Sequence, residues 1–190
     1  MKTIRLRNNL FVVSILLAVV SCSTLRSTKL NEPVVQDELI YHTKFIQLDS
    51  NHIANYECDD FVLNALENYT IKSIRQEYNF LKLTQEPIIN LHNPSIVDTI
   101  YTFSHKKNTI KIYRARHNDF TYLFDVRYSK FKLAGAIQPG MSKATFCRKF
   151  NISETIDSKV QLSDKASNIE YLFYFKRNKL RRISANIYIE

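Results

Sequence analysis

The sequence predicts an α+β fold, in which short helices pack on an antiparallel β-meander sheet. Apolar residues recur at helical spacing in the stretches 59–83 and 141–150. In the stretches 97–128 and 169–189 they alternate with polar residues at a period of two. Short polar turns separate the alternating runs, and this is typical of neighbouring antiparallel strands.

The helical segments are predicted at 59–69, at 71–83 and after Ser142, which we expect to cap the third helix. Asp59 and Asp60 stand at the first helix start, where the helix dipole favours anions. They could instead form a carboxylate pair for catalysis or metal binding. We favour capping, because no third ligand is spaced to join them.

Two parts of the chain look alike. Residues 101–112 and 171–183 both read as an aromatic strand, a turn of basic residues and Asn, and an aliphatic strand. Either a helix-plus-hairpin unit has been duplicated, or two hairpins share a generic pattern; we lean towards duplication. The prediction is therefore a first α+β unit at 56–134 and a second at 135–190.

The first 21 residues have the pattern of a secretory signal peptide. Lys2, Arg5 and Arg7 form a positive head, an apolar run covers 10–20, and the small residue Ser21 precedes Cys22. The apolar run is shorter than the roughly 20 residues that cross a bilayer. An ordinary signal peptide with a coincidental cysteine is the alternative to a lipoprotein leader.

The tetrapeptide 19–22, Val-Val-Ser-Cys, resembles the bacterial lipobox, with Val19 where the consensus prefers Leu. The resemblance implies that Cys22 becomes the first mature residue and carries the lipid that anchors the protein. By the same analogy, Ser23 in place of Asp favours the outer membrane, with the domain facing the periplasm. Residues 22–55 are predicted to be a tether and a poorly assigned lead-in.

Composition limits the classes of partner and cofactor. Without the leader the chain keeps 24 basic and 18 acidic residues, a net charge of +6, which suits anionic envelope surfaces or merely aids solubility. The expected compartment argues against nucleic acid. Glycine occurs only at Gly135 and Gly140, so phosphate-cradling loops are not expected, and we predict no cofactor and no metal.

Two cysteines, Cys58 and Cys147, remain after Cys22. Outside the cytosol an even pair can form a disulfide. Two buried free thiols are the alternative, because cysteine packs well as a small apolar residue.

The segment 174–188 is the predicted partner-binding edge. A hairpin gathers its charges on one turn, and aromatic and Arg side chains favour interfaces. The alternative is a solvated turn whose charges deter aggregation. The residues that we select are Tyr174, Lys176, Arg177, Lys179, Arg181, Arg182 and Tyr188.

Residues 137–146, Ile-Gln-Pro-Gly-Met-Ser-Lys-Ala-Thr-Phe, together with the hairpin at 171–183, resemble a family unit. It occurs in the BamE (SmpA/OmlA) envelope lipoproteins and the β-lactamase inhibitor proteins. The resemblance covers 135–190 and implies an α+β fold that binds other proteins. Phe150-Asn-Ile-Ser153 replaces the Gly-x-Pro that often follows the helix, and no family binding residue can be carried over.

Our functional expectation is a membrane-anchored, non-catalytic lipoprotein that binds a protein or an envelope polymer. The alternatives are a periplasmic hydrolase or glycan-processing enzyme, and an inhibitor of a secreted enzyme. No histidine pair has metal-ligand spacing, and no catalytic residue is assigned.

Overall fold

The computed structural model describes residues 39–90, 92–116, 118–156 and 158–188. The predicted signal peptide, Cys22 and the tether up to residue 38 lie outside this part of the chain. His117, which the sequence places in a turn, lies outside it as well.

The described residues form a nine-stranded mixed sheet with the order β1-β2-β7-β8-β9-β6-β5-β4-β3. Strands β4 to β6 form the predicted antiparallel meander, and β8 and β9 form the predicted hairpin. Among the neighbouring strands of the described residues, β2 and β7 pair in parallel and the others are antiparallel. The strands are β1 (Lys44–Leu48), β2 (Ile53–Glu57), β3 (Lys82–Ile89), β4 (Val97–His105), β5 (Asn108–Ala115), β6 (Asn118–Val126), β7 (Lys159–Ser163), β8 (Ile169–Lys176) and β9 (Lys179–Ile187).

The α+β prediction is wrong, because the described residues are predominantly β. Strands hold 47% of them and helices 14%. The α-helices are short: α1 (Asp59–Val62), α2 (Ile71–Glu77) and α3 (Lys143–Lys149). The third begins as expected, since the Ser142 hydroxyl accepts a hydrogen bond from the Thr145 N–H at 3.0 Å.

Local hydrogen bonds explain why the first predicted helix is so short. After α1 the chain continues in turns that are closed by three backbone hydrogen bonds. In these the N–H groups of Asn64, Glu67 and Tyr69 donate to the carbonyl oxygens of Phe61, Asn64 and Leu66, respectively. These three-residue steps still bury Phe61 and Tyr69, so the apolar spacing is satisfied without a continuous helix. The predicted second helix ends at Glu77, and the chain enters strand β3 at residue 82.

Strands from both predicted units join in one sheet. Strand β6 pairs with β9, and β2 pairs with β7, so the stretches 56–134 and 135–190 share a hydrogen-bonded ladder. The two stretches also contribute to one cluster of buried apolar residues.

The core lies on one face of the sheet, beneath the helices. Phe61 of α1 is fully buried, and its ring lies 4.9 Å from that of Phe150 and 5.6 Å from that of Tyr171. Along β8, Tyr171, Phe173 and Phe175 point into this core. The alternate residues form the second face, which we call the polar face; they include Lys111, Leu123, Asp125, Tyr174, Arg182 and Ser184.

The strand directions bring distant turns to the same end of the sheet. Strands β5 and β9 start at this end, whereas β4, β6 and β8 finish there. The turns 106–107 and 177–178 are therefore neighbours at one end, together with the first residues of β3 and β7. We call this the basic end, for the residues described next.

Candidate functional site

The predicted partner-binding residues of the β8–β9 hairpin are grouped around its turn, as a hairpin requires. Arg177 and Asn178 have φ angles of 53° and 56°, typical of the two-residue turn that matches the twist of paired strands. The structure places four of the predicted basic side chains in solvent there, those of Lys176, Arg177, Lys179 and Arg181.

Arg182 differs from these four because it is half-buried and held on two sides. Its Nε lies 2.8 Å from Oδ1 of Asp125, and an Nη lies 3.0 Å from Oδ2, which makes a bidentate ion pair. Its guanidinium also lies 4.7 Å from the ring centre of Tyr174, its cross-strand partner. The carboxylate of Asp125 raises the pKa of Arg182, so the guanidinium stays charged.

Asp125 holds a second arginine. An Nη of Arg127 lies 3.1 Å from Oδ1 of Asp125, and the Arg127 guanidinium also donates to the carbonyl of Lys107. The Arg127 N–H donates to Oδ1 of Asn108 at 2.7 Å. One carboxylate thus orients two guanidiniums, and the network ties the β4–β5 turn to the β8–β9 hairpin.

Tyr188 does not belong to this group. It follows the end of β9, about 30 Å from the start of that strand at 3.3 Å per residue. There it is 63% exposed and lines a separate cavity of about 330 Å³ with Leu63 and Phe120. Sequence proximity grouped Tyr188 with the basic turn, but the length of an extended strand separates them.

The topology adds basic residues that sequence reasoning missed. They come from the β4–β5 turn, from the start of β3 and β7, and from the chain after β6: Lys82, Lys106, Lys107, Arg127, Lys130 and Lys159. Several acidic residues lie at the opposite end of the sheet. They stand at the end of β2 and just after it, at the start of β6, and around the β7–β8 turn: Glu57, Asp59, Asp60, Asp119, Asp164 and Glu170. That end, which we call the acidic end, also holds Lys44, Arg114, Arg116 and Lys165, and Arg114 pairs with Asp119, so it is mixed in charge with an excess of acidic residues.

A groove on the polar face adjoins the arginine network. Its volume is about 520 Å³, and it is open to solvent. The lining combines hydrogen-bond donors and acceptors with the apolar side chains of Leu123 and Ala185; the other residues are Thr109, Lys111, Asp125, Arg182, Ser184 and Asn186. Such a lining can bind hydroxyl groups and anions, which need several polar contacts at once.

Cys58 and Cys147 are buried, and both are free thiols in the structure. Burial raises the pKa of each thiol to about 11. Both are therefore protonated at neutral pH, which is the behaviour of cysteines that pack rather than react.

A second polar network lies at the acidic end. Asp98 is 2% exposed and accepts hydrogen bonds from the Tyr113 hydroxyl and from Nδ2 of Asn90. These donors favour the carboxylate, so they hold the pKa of Asp98 below its usual value. The same contact raises the pKa of Tyr113.

The part of the chain that the structure describes contains no group of three or more His, Cys, Asp or Glu side chains that could hold a metal ion. None of its helices is long and apolar enough to cross a membrane. No protein-family model, curated protein or solved structure matches the chain.

Proposed function

We propose that this chain is a lipid-anchored, periplasm-facing envelope lipoprotein that binds an anionic envelope polymer at the basic end of its sheet. The leader motif around Cys22 supports the anchor and the compartment. The binding role is supported by the structure of the described residues, as the next paragraphs argue.

The observation that carries the proposal is the convergence of basic residues from separate parts of the chain. The β4–β5 turn and the β8–β9 turn are about 70 positions apart in sequence, yet they lie at the same end of the sheet, on either side of the end of β6. A solvated turn explains one cluster of charges. It does not explain why several turns and strand ends at the same end are basic while the other end is mixed in charge with an excess of acidic residues.

The arginine network is suited to phosphate or carboxylate groups. Asp125 fixes Arg127 and Arg182 in position, so little side-chain freedom is lost when a ligand binds. Each guanidinium has five N–H donors in a planar fork, and the contacts to Asp125 use only part of them. Tyr174 supplies an aromatic surface beside Arg182, against which an apolar or sugar face can pack.

The groove extends the same surface onto the polar face. Its Lys111, Ser184 and Asn186 can donate hydrogen bonds to hydroxyl or phosphate oxygens. An open groove continuous with a charged end fits an extended chain better than a small molecule, because a small ligand is normally enclosed over most of its surface. The chemistry that fits is a phosphorylated or carboxylated glycan.

The test measures how much of the native protein, extracted from membranes, binds purified lipopolysaccharide. We expect binding that weakens as salt rises through the physiological range, because exposed charges are screened. The double variant Arg177→Glu/Arg181→Glu changes the charge of the basic end by four units and should reduce binding at least tenfold.

Arg116→Glu/Lys165→Glu is the matched control, with the same charge change on exposed turn residues at the opposite end. It should keep nearly all of the binding. Equal loss in both variants would show that only net charge matters and would refute a specific basic end. Binding of an acidic membrane protein, with none of lipopolysaccharide, would replace the polymer by a protein partner.

A further inference from the structure

The first described residues form an exposed apolar stretch that the proposed binding end does not use. Eleven large apolar side chains are exposed among the described residues, and five lie between positions 39 and 48. Their exposures run from 49% to 57%, and the five are Leu39, Ile40, Phe45, Ile46 and Leu48. We call these five residues the apolar edge.

The apolar edge is held firmly on the domain. Tyr41, within it, is 5% exposed, stacks on Phe150 at 5.1 Å, and donates its N–H to the carbonyl of Lys149 at 2.7 Å. The Thr43 hydroxyl donates to the Phe150 carbonyl at 2.7 Å. These contacts point Tyr41 into the core and leave its apolar neighbours outside, so the exposure belongs to the fold.

Another β-strand is a poor occupant for this edge. The β1–β2 register shifts between Phe45 and Gln47, and such a bulge disrupts the regular ladder that an added strand needs. Leu39 and Ile40 precede β1, so a strand paired along Lys44–Leu48 would not cover them.

The position of the edge in the chain indicates its occupant. Only residues 23–38 separate it from Cys22, and fully extended they reach at most roughly 60 Å. Cations accompany the apolar side chains: the 78%-exposed Lys44 in β1, whose Nζ lies 3.6 Å from a carboxylate oxygen of Glu57, and Arg148 and Lys149 in the last turn of α3. Apolar side chains beside cations suit the boundary between lipid headgroups and acyl chains.

We propose that the apolar edge docks on the surface of the bilayer that holds the lipid anchor, which rests on the proposed lipidation of Cys22. The side chains of Phe45, Ile46 and Leu48 enter the boundary region, and the strand backbone stays at the hydrated level, because unpaired backbone groups are costly in hydrocarbon. Docking fixes how the domain lies on the membrane, which a lipid anchor alone does not.

The chain contains no tryptophan, so one introduced residue is a clean fluorescent reporter. The native protein with Phe45→Trp is reconstituted in phosphatidylethanolamine–phosphatidylglycerol vesicles with brominated acyl chains. We expect a blue-shifted emission and at least a twofold quenching by the bromines. Leu48→Trp is a second reporter on the same edge and should behave alike.

Phe120→Trp is the matched control, since Phe120 is also exposed, at 45%, but lies in β6. Its emission should change little on reconstitution. Equal quenching of Phe45→Trp and Phe120→Trp, or of neither, would overturn the proposal. A blue shift of Phe45→Trp that needs no vesicles and grows with protein concentration would instead place a second copy of the chain on the edge, and would overturn it too.

Flotation of the same vesicles on a density gradient tests the anchor separately. If the protein floats with the vesicles but the fluorescence of Phe45→Trp is not quenched, the lipid anchor is supported and the docking is refuted. Protein that does not float refutes the anchor, and with it the reason for choosing the bilayer as occupant.

Discussion

Replacing Asp125 with Asn should lower stability and at the same time weaken anion binding. The carboxylate accepts two hydrogen bonds from Arg182 and one from Arg127. Hydrogen bonds to charged groups contribute about 1.5–3 kcal/mol when buried, but exposed ion pairs contribute at most about 1 kcal/mol. Since the Asp125 side chain is 26% exposed and both arginines are about one-third exposed, we expect a total loss near 1.5 kcal/mol.

For a domain of this size, that loss lowers the melting temperature by roughly 3–6 °C, which calorimetry or circular dichroism can measure. Lipopolysaccharide binding should weaken severalfold, because Arg127 and Arg182 are no longer held in position and lose more side-chain freedom when they bind. Asp60→Asn removes the same charge from an exposed position at the other end and is the control. Unchanged stability and unchanged binding in Asp125→Asn would refute the bridging role of this carboxylate.

Three further predictions concern the core, the acidic end and the cysteines. Phe61→Ala should lower the free energy of unfolding, measured with urea, by about 4 kcal/mol, because a fully buried ring is lost. Leu63→Ala is the control, since Leu63 is 61% exposed, and it should lower that free energy by under about 0.5 kcal/mol. Similar losses in the two variants would contradict the packing. The pKa of Asp98 is lowered in the folded state, so its carboxylate stabilises the protein above a pH of about 4, and this stabilisation is lost as the pH falls through the folded-state pKa. Asp98→Asn should reduce the fall in unfolding free energy at acid pH. An unchanged fall would exclude Asp98 as its cause. Iodoacetamide should label Cys58 and Cys147 in denaturant without reductant and hardly at all in the native protein at pH 8; no labelling of the denatured chain would reveal a disulfide.

The strands that the sequence predicted correctly have one buried face and one face that is more exposed to solvent. Along β8, Tyr171, Phe173 and Phe175 alternate with more exposed residues, and this period of two is visible without the structure. The edge strand β3 gives no such signal, because nearly all its residues are exposed and it contains Pro87, a residue that is rare inside strands. An edge strand tolerates proline because one side of its backbone has no partner.

Strand β7 could not be predicted from the sequence for another reason. Its sequence, Lys-Val-Gln-Leu-Ser, lies inside a polar stretch, and five residues are too few to establish a period. Strand β2 was missed in the same way, and each is stabilised by pairing with the other across the sheet.

The candidate site divides into a local and a non-local part. The basic turn of β8–β9 could be predicted, because a hairpin joins residues that are close in sequence. The roles of Lys106, Lys107 and Asp125 could not, because they depend on the order of strands and on the β6–β9 register. No spacing rule links residue 125 with residue 182 before that register is known.

The parallel pairing of β2 with β7 has a consequence for how the protein matures. Ile53 aligns with Lys159, more than a hundred positions later. The β1–β2 hairpin therefore cannot pair with β7 until most of the polypeptide has been made. During synthesis the amino-terminal hairpin emerges first, with its apolar side chains unshielded, and it is exposed to aggregation until the carboxy-terminal third has been made. A chaperone that covers those side chains would shorten this interval.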